Sequence, residues 1–246
     1  MPSSVNPRRP RPTADPGRGS PSPPGSRRGY ESPLRQRQAQ QTRAAILDAA
    51  EQQFSAHGYV RTRLKDVAEQ AGVSLATVKL AFGTKIDLLL GLWHRTLAGG
   101  TDDQAPVADR PWMRAALQAD DPAAKLRQVA ANSAMIKQRT AALARIITAA
   151  AAADDTAAEL QAQMSREFYA NQHSIIEDLH RRGQLHPELT VTQATDILFT
   201  LNNMQTYLLL VHERRWTPDH YQQWLTTTLQ RELLLPDHEN HSTRAT

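Results

Sequence analysis

The chain has 246 residues and no cysteine, with 29 lysines and arginines against 25 acidic residues, a formal net charge of +4. The missing thiols exclude a disulfide scaffold, a cysteine nucleophile and any zinc site built on cysteine. No apolar run approaches the roughly 18 residues of a membrane span, and the basic N-terminus lacks the apolar segment of a secretory signal. A soluble, cytoplasmic protein of one or two domains is the expectation.

The charge is unevenly spread. Residues 1–30 hold six arginines and one acid, residues 31–98 hold nine basic and six acidic residues, and residues 99–246 hold 14 basic and 18 acidic residues. A basic front and an acidic rear point to an anionic partner, nucleic acid above all, for the front alone. Residues 1–33 carry nine of the 15 prolines and six serines, with Tyr30 as the one aromatic. Such a segment buries too little apolar surface to offset its ordering entropy and reads as a disordered arm. It either tracks phosphates or is an inert extension.

Next come the helices. Ser32-Pro33 is a hydroxyl cap followed by proline at the first helical position. Ile46, Leu47, Ala50 and Phe54 then recur at helical spacing until His57-Gly58. Short helical patterns follow over about 63–71 (Leu64, Val67, Ala68, Ala71) and about 75–82, with Gly72-Val73-Ser74 between them. Thr84 caps a fourth helix from Lys85 to about Leu97. After a Gly99–Pro106 linker the chain is rich in Ala, Leu and Gln. Asp121-Pro122 opens a helix carrying Leu126, Val129 and Met135, and another covers about 140–153. A long helix spans about 155–182. The next runs from Thr190 or Thr192 through Ile197, Leu201, Met204, Leu208 and Val211 to about 215. Thr217-Pro218 starts the last, through Tyr221, Leu225, Leu229 and Leu233. The fold class is all-α.

The patterns over 39–82 fit a helix-turn-helix with a supporting helix, in which the second short helix lies in the DNA major groove. Gly72 supplies the positive φ of the turn, and Ser74 can cap the following helix and offer a group to phosphate. Val73, Val78, Ala81 and Phe82 fall on the inward face. Ala76, Lys79 and Leu80, flanked by Leu75 and Thr77, fall on the outward one. An outward leucine beside a lysine suits a groove better than solvent, because apolar groups meet thymine methyls while Thr77 and Lys79 reach phosphate or a base edge.

The stretch Thr42–Leu90 carries Ile46-Leu47, Ala49-Ala50, Phe54, Gly58-Tyr59, Thr62, Asp66-Val67-Ala68, Ala71-Gly72-Val73-Ser74, Thr77-Val78, Phe82, Lys85 and Leu88. In these it resembles the DNA-binding domain of the TetR family of bacterial transcriptional regulators. The resemblance implies backbone contacts at Thr77 and Lys85 and groove-facing positions at Leu75, Ala76 and Lys79. Three departures stand out: Lys79 where the family commonly has tyrosine, Ala81 where it often has histidine, and Arg63 where it has a small hydroxyl residue. The DNA-binding set is then Arg63, Ser74, Leu75, Ala76, Thr77, Lys79 and Lys85.

The resemblance also divides the chain into an arm (1–33), a helix-turn-helix DNA-binding domain (34–98), a helical ligand-binding and dimerisation domain (107–236) and a disordered tail (237–246) with His238 and His241. The last two long helices, about 190–215 and 217–235, would form the homodimer interface; the competing reading is that their apolar faces close the monomer's own core. Trp112, Met135, Met164, Phe168, Asn202, Asn203 and Tyr207, with Met113 beside them, are the candidate lining of an effector pocket. The Asn202-Asn203 pair inside an apolar helix is the best clue there, since buried amides need partners. No catalytic motif is present. His173, His180 and His186 lack the spacing of a metal site, and no cofactor or metal is expected.

The expected function is a ligand-responsive transcriptional regulator, a repressor released from double-stranded, palindromic operator DNA by a small molecule. The alternatives are an all-α small-molecule-binding protein or enzyme without specific DNA binding, and a non-specific architectural protein driven by the arm. Deleting residues 1–30 should lower DNA affinity and flatten its dependence on salt. An unchanged salt slope would make the arm a bystander.

Overall fold

The computed structural model describes residues 33–100 and 105–235. The arm up to Ser32, the middle of the linker and the tail with His238 and His241 lie outside them. Every extended element among the described residues is a helix.

Four helices form the front module: α1 (Pro33–Arg61), α2 (Leu64–Gln70), α3 (Leu75–Phe82) and α4 (Lys85–Leu97). Helical geometry in α1 breaks at Gly58, whose φ of 71° only glycine adopts without strain. Thr62, 2% exposed, fixes the exit: its hydroxyl donates to the Gly58 carbonyl at 2.8 Å, with the Gln53 carbonyl 3.1 Å away. Gly72, at φ 68°, makes the turn between α2 and α3. Ser74 Oγ then accepts from the Thr77 amide at 3.0 Å and starts α3. Thr84 and Asp87 form a reciprocal capping box at the head of α4. The core of the module is Ile46, Leu47, Ala50, Phe54, Val67, Ala68, Val78, Phe82, Leu88 and Leu92. Arg95, on α4, holds α1 through Asp48 and Glu51 at 2.6 and 2.9 Å.

The body comprises α5 (Pro111–Gln118), α6 (Pro122–Ala151), α7 (Asp155–Arg181), α8 (Val191–Leu201), α9 (Met204–Tyr207) and α10 (Pro218–Leu233). Three expectations need correction. The two helices read over 122–153 are one helix of 30 residues. No glycine or proline interrupts it, and the Thr140 hydroxyl bonds back to the Ile136 carbonyl without breaking it. Helix α5, opened by Arg110-Pro111, is an element that the sequence reading passed over. The helix read from 190 to about 215 is interrupted: α8 stops at Asn202, Asn203 caps α9 by accepting from the Gln205 amide at 2.9 Å, and residues 208–213 follow in a wider π-helical turn. The Asn203 side chain provides a local partner that competes with the helical ladder, while that of Asn202 is held by Ser133, Lys137 and Gln172 on neighbouring helices.

Tyr221, Leu225, Leu229 and Leu233 of α10 are 0% exposed. They pack in the body's own core with Leu126, Val129 and Ala130 of α6 and Ile176 and Leu179 of α7. The apolar stripe of the last helix therefore closes the monomer. At the surface α8, α10 and the segment between them still present exposed Leu209, half-exposed Ile197, Phe199, Leu208, Leu210, Val211, Trp216 and Trp224, and the polar face of α10.

A charged cluster locks α6 to α7. Lys125, fully buried, pairs with Asp178 and donates to the Leu117 carbonyl at 2.9 Å. Arg181 and Arg182 each reach Asp178 at 3.0 Å, and Arg182 also reaches Asp120. Burial alone would raise the Asp178 carboxyl's pKa, but hydrogen bonds and charge from Lys125 and Arg182 outweigh it and hold the carboxyl below its ordinary value. Because that pKa is depressed in the folded state, the pair's contribution is complete above the ordinary carboxylate range and is lost only as pH falls through the lowered value. Asp178→Asn strands the Lys125 ammonium and should lower the unfolding free energy by about 3 kcal/mol. Arg181→Ala, at an exposed partner, should cost no more than about 0.5 kcal/mol. Urea denaturation of the two variants near neutral pH checks both values.

Candidate DNA-reading face and ligand cavity

Helix α3 turns Val78 and Phe82 into the core, with Val73 and Ala81 packed partly against it. On the other side Leu80 is 89% exposed, and Leu75, Ala76 and Lys79 are exposed beside it. The Thr77 hydroxyl sits 2.8 Å from that of Ser74, so both hydroxyls lie at the start of the helix next to its first amides. Arg63 is exposed at the head of α2 and makes no capping bond there. Lys85 differs from these. Its amine donates to the Tyr59 carbonyl at 3.0 Å, and to that of Val60 at 3.4 Å, and lies 4.2 Å from the centre of the Tyr59 ring. It pins α4 to the end of α1. An apolar side chain as exposed as Leu80, at the centre of a short capped helix, gains nothing from water and suits a docked surface.

A cavity of about 620 Å³ opens behind the module, walled by α4, α5, α6, α7 and the end of α8. Trp112, Met113, Met164, Phe168, Asn202 and Asn203 lie on its wall. Two expected residues do not reach it. Met135 is half-buried elsewhere on α6, and Tyr207 is buried in the body's core with its ring edge-on to Tyr221 at 4.9 Å. Trp93 and His94 of α4 also line the cavity, so the front module supplies part of the wall.

Its polar side was missed in the sequence. Lys137 is 5% exposed and donates to Ser133 Oγ and, at 2.7 Å, to Asn202 Oδ1. Ser133 donates to the same Asn202 oxygen, Asn202 Nδ2 donates to Gln172 at 3.0 Å, and Gln172 donates to the Phe168 carbonyl. All four side chains lie on the wall. The amine also lies 5.9 Å from the ring centres of Phe168 and Tyr221. Burial pushes its pKa down from 10.5 to about 7. The signal was available: Ser133 and Lys137 stand four apart, one face of a helix, amid apolar residues. A lone lysine in a run such as Met135–Arg139 nonetheless reads as solvent-facing. Among the described residues, no three His, Asp or Glu side chains converge in a way that could hold a metal ion.

The lowered pKa of Lys137 has a definite sign. The unfolded chain holds that proton up to about 10.5 and the folded chain only to about 7, so stability rises with pH between these values. Relative to Lys137→Met, the wild type should gain more than about 1 kcal/mol of unfolding free energy across that range. Parallel curves for the two proteins in chemical denaturation would exclude a buried, titrating amine.

Known proteins agree with this architecture. The profile of the bacterial regulatory proteins, tetR family, matches residues 46–92. The HTH-type transcriptional regulator TtgR of Pseudomonas putida is 30% identical over 171 residues, which cover 66% of this chain and 77% of that protein. Among solved structures, a SmeT–triclosan complex aligns with a TM-score of 0.62 at 18% identity over 80% of this chain and 93% of the other; SmeT is the repressor of a Stenotrophomonas maltophilia multidrug efflux pump. NalD, the secondary repressor of the MexAB-OprM efflux pump in Pseudomonas aeruginosa, aligns with a TM-score of 0.60 at 23% identity over 80% of this chain and 98% of its own. With an exposed reading helix on a helix-turn-helix module and a relative matched across both module and body, this chain belongs to the TetR family of bacterial transcriptional regulators.

Proposed function

We propose that the protein is a homodimeric, cytoplasmic repressor that releases operator DNA when a small molecule fills the cavity. Residues 34–98 act as the reading unit and residues 107–236 as the sensing and dimer-forming unit. Leu75, Ala76, Lys79 and Leu80 face the major groove. Ser74, Thr77 and Arg63 take phosphates around it. Lys85 joins them by neutralising a phosphate near the end of α1 while holding its carbonyl partners. No catalytic step is assigned to the cavity.

The observation that carries the reading is the course of α6. Ser133, Lys137 and Thr140 line the cavity, and within the next three turns Leu143, Ile147 and Ala150 lie in the core shared with α1 to α4. A ligand that shifts α6 acts directly on the seat of the reading module. Two modules in a dimer must present their α3 helices about one DNA turn apart, so a small rotation suffices to lose one half-site. The SmeT–triclosan complex supports a small-molecule effector for this fold.

Thr77→Ala combined with Lys79→Ala should weaken binding to a duplex that the wild type prefers by at least about tenfold at moderate salt. The melting temperature should stay within about 2 °C of the wild type, because neither side chain is buried. Fluorescence anisotropy checks the first and calorimetry the second. Unchanged affinity would remove α3 from the groove.

A further inference from the structure

We infer that the cavity selects small amphipathic acids, whose apolar body fills the space and whose carboxylate or other anionic oxygen pairs with the Lys137 amine. This deepens the proposed function and rests on its reading of the cavity as a ligand site.

The same helix carries two buried lysines, and their surroundings differ in the one respect that matters. Lys125 lies in the solid part of the body and has a carboxylate, Asp178, against it. Lys137 lies on the cavity wall, and among the described residues no carboxylate comes within ion-pairing distance. Its partners, Ser133 and Asn202, are neutral. An ammonium has three N–H groups; two are taken by these oxygens, and the third has no acceptor among the described residues. A buried charge without a counter-charge is costly. An anion brought in by a ligand supplies both the missing charge and the missing acceptor.

The rest of the wall fits the other half of such a molecule. Trp112, Ile136, Ile147, Met164, Phe168 and Phe199 are apolar or aromatic, and the rings of Phe168 and Phe199 lie 5.6 Å apart. A neutral ligand of the same shape would fill this space equally well but leave the amine as it was. The remaining titratable groups do not replace the anion. On α7, Glu167 is exposed and accepts from Gln163 at 2.9 Å; on α4, His94 also lines the cavity. On α10 and α9, burial raises the pKa of Tyr221 and Tyr207, which keeps both hydroxyls protonated through the neutral range.

Protonation supplies a signature. With the free amine titrating at about 7, an acid that enters above that pH must draw a proton onto Lys137. Affinity for the acid therefore falls as pH rises from about 7 to about 9, while affinity for a neutral isostere stays level.

Isothermal titration of the full chain with biphenyl-4-carboxylate and biphenyl-4-carboxamide tests the proposal. In the wild type the acid should bind at least about tenfold tighter than the amide near neutral pH. Its enthalpy should vary with buffer ionisation as proton uptake requires. Lys137→Met and Lys137→Gln should each bring the two ligands to within about threefold of each other and abolish the uptake, with amide binding retained as evidence of an intact cavity. Equal affinities in the wild type, or an acid preference that survives in both variants, would overturn the proposal. If neither compound binds the wild type, the cavity's role as a ligand site falls with it. If the acid binds with the expected preference but does not release DNA, the acid site stands and the effector reading falls.

Discussion

Helix α6 belongs to two cores at once, and this constraint governs how the rest of the molecule can move. Its first two-thirds pack Leu126, Val129, Ala130, Ala134 and Ala141 into the body, and its last turns pack Leu143, Ile147 and Ala150 among α1 to α4. At 1.5 Å per residue it is about 45 Å long. Close-packed interiors do not deform smoothly, so a displacement of α6 has to be accommodated at both ends. The cavity lies along the middle of this helix. A ligand bound there touches an element that the reading module and the body share, which gives the proposed allosteric coupling a physical carrier.

The two buried lysines divide the work along that helix. Lys125 with Asp178, Arg181 and Arg182 fixes α6 against α7 near its N-terminal end. Lys137 joins α6 to the break between α8 and α9, because Asn202, at the end of α8, accepts a hydrogen bond from its amine. The first network closes on a carboxylate and is complete. The second ends on neutral amides at a cavity wall, where a ligand can change both its charge and its geometry. The interruption of the chain at Asn202-Asn203 is thus part of the cavity, and the π-helical turn that follows lies just beyond it.

Much of the front module was legible in the sequence because local chemistry decides it. Gly72, Ser74 and Thr84 fix turn and caps, and the spacing of Val67, Val78 and Phe82 fixes the buried faces; the structure has α3 and α4 over the residues expected. The body was less legible for physical reasons. An alanine-rich chain has few breakers, so the continuity of α6 could not be told from two helices laid end to end. The break at Asn202 depends on partners 65 and 69 residues away, Lys137 and Ser133, which no local pattern reveals. The apolar stripe of α10 was expected at a dimer interface, with the monomer's core as the competing reading, and only tertiary packing decides that it lies in the core. For the cavity, Trp112, Met164 and Phe168 could be picked as large apolar or aromatic residues, whereas Met135 and Tyr207, picked on the same grounds, point elsewhere. Residue type alone does not give the direction of a side chain on a helix whose neighbours are unknown.

The central claim is that α3 reads DNA as one half of a symmetric pair. The most direct measurement is selection of bound sequences from a random duplex pool by the full-length protein, followed by sequencing. The expected result is a two-fold symmetric motif whose half-sites are separated by about one helical turn, roughly 10 base pairs. Recovery of no enriched sequence, or of a motif without symmetry, would contradict it.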